Sequence, residues 1–227
     1  MAKNTLIIAA GGTGERTGLD IPKQFYVIKG KPVIVHTISV FEGMEEIDEI
    51  IISCHKDYIS HTLDIVEKYG ISKVTSVIEG GDTRQKSVYK AICRVSEDTD
   101  YILIHDAARP FINADSIRRC LIDASVTGCA SVGKRVADTL KRSDDKCYIT
   151  DTVDRDNLWQ IQTPQIFRRD IISHCHEKCI SDNVECTDDC MICERYGHRI
   201  KITEASCINT KLTDSSDILL AEAILGV

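Results

Sequence analysis

Short strand-like runs and helix-patterned segments take turns along the first 135 residues, and this alternation limits the fold more than any other feature. Thr5–Ala9, Glu49–Ser53, Lys73–Ile78, Tyr101–His105 and Ala130–Val136 carry aliphatic and β-branched residues over stretches too short for an ordinary helix. Between them, Pro32–Phe41, Tyr58–Tyr69, Arg84–Arg94 and Ala114–Thr127 repeat apolar residues at helical spacing. Parallel strands need a crossover helix between each pair, and those helices cover the two faces of the sheet. The pattern therefore predicts an α/β, Rossmann-like fold, a mainly parallel sheet with helices on both faces. Ligands of such sheets bind outside the carboxyl ends of the strands, so residues that directly follow a strand are the first place to look for chemistry.

Beyond residue 135 the alternation stops. Thr139–Lys141 and Cys147–Thr152 flank the turn-rich Ser143-Asp144-Asp145-Lys146, which predicts a projecting hairpin. Helical patterns follow near Asp170–Lys178 and Asp188–Tyr196, then a strand at Arg199–Glu204 and a last helix at about Ser215–Ile224. With no repeat and no flexible linker, residues 1–227 read as one domain with an arm at about 137–155.

Composition narrows the functional classes. A formal net charge of −7 argues against broad, phosphate-driven nucleic-acid binding, though not against a local basic cluster. The apolar stretch in residues 1–12 is too short to span a membrane and lacks the layout of a secretory signal, so a cytoplasmic protein is expected. In that compartment the eleven cysteines read as thiols rather than a disulfide framework. His174, Cys175, His176, Cys179, Cys186, Cys190 and Cys193 crowd together, yet only Cys190 and Cys193 have the spacing of a zinc-ligand pair. Cys186, Cys190 and Cys193 stand at i, i+4 and i+7, which suits small apolar residues on one helical face.

Three segments carry the chemistry. Ala10-Gly11-Gly12-Thr13-Gly14-Glu15-Arg16 follows the first strand and is followed in turn by Pro22-Lys23-Gln24. Glycines there let backbone N–H groups approach a polyphosphate, and Arg16 and Lys23 can neutralise its charge. A nicotinamide-dependent dehydrogenase is the rival, but the glycines at 11, 12, 14 and 18 do not make GxGxxG, and no acidic residue ends the second strand. A P-loop is excluded for want of Gly-Lys-Ser/Thr. The second segment, Gly80-Gly81-Asp82-Thr83-Arg84-Gln85-Lys86-Ser87, offers a second glycine approach and a serine in the first turn of a helix, or simply a capped helix with a surface arginine. The third, His105-Asp106-Ala107-Ala108-Arg109-Pro110, sets a carboxylate at a strand end, where it can hold Mg²⁺ or its waters, with Arg109 within reach of a phosphate. His105 reads as structural, because a phosphate nucleophile is already ionised and needs no base.

These loops, in this order, resemble those of the polyol-phosphate cytidylyltransferases. The resemblance continues through Asp138-Thr139-Leu140-Lys141, Asp154-Arg155, Leu158-Trp159, Gln162-Thr163-Pro164-Gln165, Thr187-Asp188-Asp189 and Asn209-Thr210-Lys211, and so covers nearly the whole chain. Ala108, Lys141 and Leu158-Trp159 resemble the 2-C-methyl-D-erythritol 4-phosphate family. Gly11-Gly12 is more similar to the ribitol 5-phosphate enzymes, and Thr17 replaces the usual methionine. The resemblance implies CTP and a polyol phosphate as substrates, Mg²⁺ as cofactor, and a homodimer joined through the arm. It implies catalytic roles for Arg16, Lys23 and Lys211, and recognition of the nucleotide by Ala10, Gly11, Gly12, Gly81, Asp82 and Ser87. It implies binding of the acceptor by Asp106, Arg109, Thr139, Arg155, Thr163 and Thr187, with Asp106 also near the metal and Arg155 acting in the neighbouring subunit's site.

Overall fold

The computed structural model describes residues 2–12 and 21–225. In chain order the elements are β1 (Asn4–Ala10), β2 (Val27–Ile28), β3 (Lys31–Pro32), α1 (Val33–Glu42), β4 (Glu49–Cys54), α2 (Ile59–Lys68), β5 (Val74–Glu79), α3 (Arg84–Ile92), β6 (Tyr101–Asp106) and α4 (Ala114–Thr127). There follow β7 (Cys129–Arg135), β8 (Leu140–Ser143), β9 (Ile149–Val153), β10 (Trp159–Arg168), α5 (Arg169–Ser181), α6 (Asp189–Arg195), β11 (Lys201–Glu204) and α7 (Ser215–Leu225).

Seven strands form one sheet in the order β11-β7-β10-β6-β1-β4-β5. The period-two alternation of a strand sorts its side chains between the faces. Leu6, Ile8 and Ala10 of β1 join a core with α1, α2 and α4. Ile7 points the other way, into a core with α3, α5 and α6. Both faces are thus covered, as the alternating sequence pattern predicts. The cysteines follow the same rule: Cys175, Cys179, Cys190 and Cys193 are buried free thiols in the second core, and Cys186 is half-buried against it.

One strand departs from the sequence reading. β10 lies between β6 and β7 and is antiparallel to both, which converts a parallel sheet into a mixed one. A proline inside a run argues against a central strand, since it lacks a backbone N–H. Here the pairing to β7 breaks between Ile161 and Gln165, and Pro164 falls in that gap, joined to Thr163 by a cis bond. The predicted hairpin is present as β8 and β9, which among the described residues pair only with each other.

The chain runs β1, β4, β5 toward one edge, then returns to place β6 on the opposite side of β1. The order therefore reverses between β1 and β6, where Ala9 pairs with Asp106. At such a switch point the two following loops part and leave a crevice.

Candidate active site

The crevice is a cavity of about 210 Å³ lined by Ala9, Gly11, Gly12, Gly81, Asp82, Thr83, Arg84, Ser87, Asp106 and Lys211. The first glycine loop and the loop after β5 form two of its walls. Gln24, on the short turn Lys23–Phe25, pins the first wall: its Nε2 donates to the carbonyls of Ala10 (2.8 Å) and Gly12 (2.9 Å). In the second wall, a Cβ on Gly81 would lie 2.5 Å from the Lys86 Cβ, so glycine there is required by close packing. Ser87 Oγ accepts from the Gly81 N–H (3.0 Å), and Thr83 Oγ1 caps α3 by accepting from the Lys86 N–H.

Asp106 forms the floor. It is 5% exposed, and three cations among the described residues converge on it: Lys211 Nζ at 3.0 Å and Arg109 Nε at 3.1 Å from Oδ2, and Arg84 Nε at 3.5 Å from Oδ1. Burial pushes the Asp106 carboxyl up, but Lys211, Arg84 and Arg109 outweigh it and hold the group well below the usual carboxylate range. Arg84 also gives its Nη1 to Asp189 Oδ2 at 2.7 Å. Burial opposes its charge, and Asp189 and Asp106 more than restore it. The reading of Arg84 as a surface side chain is thereby replaced by one in which it bridges two buried carboxylates, whereas the capped helix beside it is present.

Behind the floor lies a directional hydrogen-bond chain. The Asp106 N–H donates to Thr163 Oγ1 (3.1 Å), and that hydroxyl lies 3.0 Å from His105 Nδ1. His105 Nε2 lies 3.2 Å from the Arg109 carbonyl, which only accepts, so Nε2 carries the proton and Nδ1 takes the one from Thr163. Burial drives the His105 pKa down to about 4, leaving the ring neutral. His105 is thus wired into the scaffold. Lys211 is delivered by its own chain segment. Asn209 Nδ2 donates to Gln162 Oε1 and the Thr163 carbonyl, Arg109 Nη1 donates to the Asn209 carbonyl, and the Leu212 N–H donates to the Ala108 carbonyl.

Of the residues singled out in the sequence, the cavity brings together Gly11, Gly12, Gly81, Asp82, Ser87, Asp106 and Lys211. Ala10 meets Gln24 through its carbonyl, and Lys23 is buried beside Gln24 without lining the cavity. Thr163 is buried behind Asp106, and Arg109 faces Asp106 from the side. Thr139 is exposed on the arm, and Arg155 is exposed at its base, where its guanidinium donates to the Ala137 carbonyl and lines a separate cavity of about 300 Å³. Thr187 is exposed, with its hydroxyl 3.7 Å from the Met191 sulfur. Arg16 lies outside the described residues. Sequence reasoning assigned no role to Gln24, Arg84 or Asp189.

Residues 4–227 match the 2-C-methyl-D-erythritol 4-phosphate cytidylyltransferase family. The chain belongs to that family. It is 43% identical over 225 residues to the enzyme of that name from Clostridium botulinum strain Langeland, covering 99% of this chain and 98% of the relative. It is 40% identical over 226 residues to the one from Alkaliphilus oremlandii, covering 99% and 96%. Among solved structures, the 4-diphosphocytidyl-2C-methyl-D-erythritol synthase of Anaerococcus prevotii superposes with a TM-score of 0.86 at 28% identity, covering 100% of this chain and 97% of that one. The 2-C-methyl-D-erythritol 4-phosphate cytidylyltransferase of Thermus thermophilus superposes with a TM-score of 0.82 at 26% identity, covering 98% of each chain. A family of cytidylyltransferases makes this chain a nucleotidyltransferase. Among the described residues, no helix is long and apolar enough to cross a membrane.

Proposed function

We propose that the protein transfers the cytidylyl group of CTP to 2-C-methyl-D-erythritol 4-phosphate, giving the CDP-alcohol and pyrophosphate in isoprenoid precursor synthesis. The observation that carries this reading is the cation-ringed floor at the β1/β6 switch point, in a chain of this family. An oxygen of the acceptor phosphate bonds to the α-phosphorus of CTP as the bond from that phosphorus to the β-bridging oxygen breaks, and pyrophosphate leaves with those electrons. Both reactants are anions. Catalysis of such a transfer consists mostly of holding them in line and offsetting charge. Glycine walls admit the nucleotide, and Ser87 and Asp82 flank its path. Lys211 and Lys23, with Arg16, offset phosphate charge. Asp106 holds Lys211 and Arg109 in place before substrate arrives, so little reorganisation accompanies the reaction.

A magnesium ion fits this floor only in company with substrate. Among the described residues no group of three or more His, Cys, Asp or Glu side chains could hold a metal. Asp106 is a single carboxylate already flanked by cations, and Mg²⁺ commonly takes one or two carboxylates together with substrate phosphates and waters. Asp106 would be its protein partner, and the ion, when bound, would neutralise part of the triphosphate charge. We further read the protein as a cytoplasmic homodimer. Arg155 and Thr139 belong to an exposed arm, and the dimer reading has the arm complete the partner's acceptor pocket alongside Thr187, with Thr163 supporting that pocket from behind Asp106.

The test is to incubate the protein with CTP, Mg²⁺ and 2-C-methyl-D-erythritol 4-phosphate, and in parallel with ribitol 5-phosphate, while following pyrophosphate. Release with the erythritol phosphate is expected. No release with either acceptor would overturn the enzyme assignment, and faster release with ribitol 5-phosphate would overturn the acceptor.

A further inference from the structure

Beneath the floor, a line of polar contacts joins the consecutive helices α5 and α6 to α3, which lies about a hundred residues earlier in the chain. His176 on α5 places Nε2 3.1 Å from Asp189 Oδ1, and as a carboxylate only accepts, that nitrogen donates. The other Asp189 oxygen takes Arg84 Nη1 from α3 at 2.7 Å, and Arg84 Nε reaches toward Asp106 at 3.5 Å. Asp189 and His176 are both fully buried, and neither lines the cavity. Gln165 Oε1 accepts the Asp189 N–H at 3.1 Å and fixes the start of α6 to β10. A buried carboxylate with no access to substrate, whose oxygens are spent on a histidine and on an arginine of the active site, serves that arginine.

We propose that Asp189 is a positioning residue for the transfer: by gripping one end of the Arg84 guanidinium it aims the other end at Asp106, and so fixes the carboxylate that holds Lys211 and Arg109. The planar fork of arginine is essential to this, because a lysine reaches one carboxylate and not two at fixed separation. Asp189 contributes nothing to nucleotide binding directly. Its loss leaves the cavity walls intact and loosens the floor, so turnover falls while CTP recognition stays. The inference rests on Asp106 serving the cytidylyl transfer.

The experiment is a double-mutant cycle on the full-length protein, comparing Asp189→Asn, Asp106→Asn and the pair, with kcat, the KM for CTP and the melting temperature read for each. Asp189→Asn is expected to lower kcat on the order of 10- to 100-fold with the KM for CTP within about threefold. In the Asp106→Asn background it should cost no more than about twofold, because the group it positions is gone. Full multiplicative losses in the double variant, or unchanged kcat in folded Asp189→Asn, would overturn the proposal. Should Asp189→Asn not fold, Arg84→Lys carries the same cycle, with the same loss expected alone and the same near-silence beside Asp106→Asn. Absence of pyrophosphate release by the unaltered protein would sink the transferase reading instead, so the two failures are distinguishable.

Discussion

At the carboxyl ends of β1 and β6, Asp106 is almost wholly buried, and Lys211, Arg84, Arg109 and Thr163 reach it from four separate stretches of chain. Along the arm, every residue of β8 is exposed, and Tyr148 and Ile149 are 70% and 67% exposed. An isolated two-stranded hairpin is marginal in water at best. The floor is finished by its own fold, whereas the arm covers its apolar surface with none of the described residues. Under the dimer reading, that difference divides the labour: the core supplies a rigid nucleotide and phosphate site, and the arm supplies acceptor contacts only once a second copy covers it. The two regions therefore fail differently when altered.

The largest effect is expected at the floor. Lys211→Ala removes a cation that faces both Asp106 and the cavity. Loss of one preorganised charge-stabilising donor commonly costs about 10²- to 10³-fold in kcat, and a loss of that size is expected here. Steady-state kinetics with a melting curve decides it: a fully active, folded variant would contradict the role given to the floor.

The arm comes next. Arg155→Ala should lower turnover about 10- to 100-fold, the worth of a charge-assisted contact, without altering the melting of the core. Mixing is sharper than the single variant. If Arg155 acts across a two-fold axis, a heterodimer of Arg155→Ala and Asp106→Asn has one intact site. Randomly exchanged subunits should then regain about a quarter of the original activity. No recovery after verified subunit exchange would return Arg155 to its own protomer and dissolve the division between core and arm.

A smaller effect tests the wall. Gly81→Ala forces a methyl to within 2.5 Å of the Lys86 Cβ and 3.1 Å of the Lys86 carbonyl carbon. The loop must shift, and CTP binding measured by calorimetry should weaken about tenfold, equivalent to about 1.4 kcal/mol. kcat at saturating CTP should change far less, since the floor stays in place. A kcat loss larger than the affinity loss would mean that wall and floor are one unit.

The same contrast explains what could be read before the structure. β1, β4, β5, β6 and their following loops were legible because strand periodicity, glycines and the Asp106 position are local signals. The hairpin was legible from its turn. β10 was not, since Pro164 masks the run and its antiparallel insertion between β6 and β7 is a long-range choice. The Arg84–Asp189 pair joins residues 105 positions apart, and nothing local in Arg84-Gln85-Lys86 tells a bridging arginine from a surface one. Lys211 entered only through family resemblance, because its place depends on Asn209 clasping Gln162 and Thr163. Gln24 hid in plain view beside Lys23, where a neutral amide gives no electrostatic cue.

The last and mildest prediction concerns stability and belongs to the core alone. His105 is neutral in the fold, with its pKa lowered by burial from 6.5 to about 4. The unfolded chain takes up a proton below about 6.5 and the folded chain does not, so its neutral wiring contributes fully above that pH and is lost progressively as pH falls toward 4. The slope attributable to this ring cannot exceed about 1.4 kcal/mol per pH unit. Asp106 has the same sign in a different window and so does not interfere: its depressed carboxyl contributes stability above about 3.9, the unfolded value, and loses it only in stronger acid. Urea midpoints measured from pH 7 to 4.5 should fall for the unaltered protein and flatten in His105→Gln. Shortening the arm should leave the slope as it was. An unchanged slope in His105→Gln would remove the neutral histidine from the scaffold of the floor, and with it the ring nitrogen that takes the Thr163 hydroxyl proton.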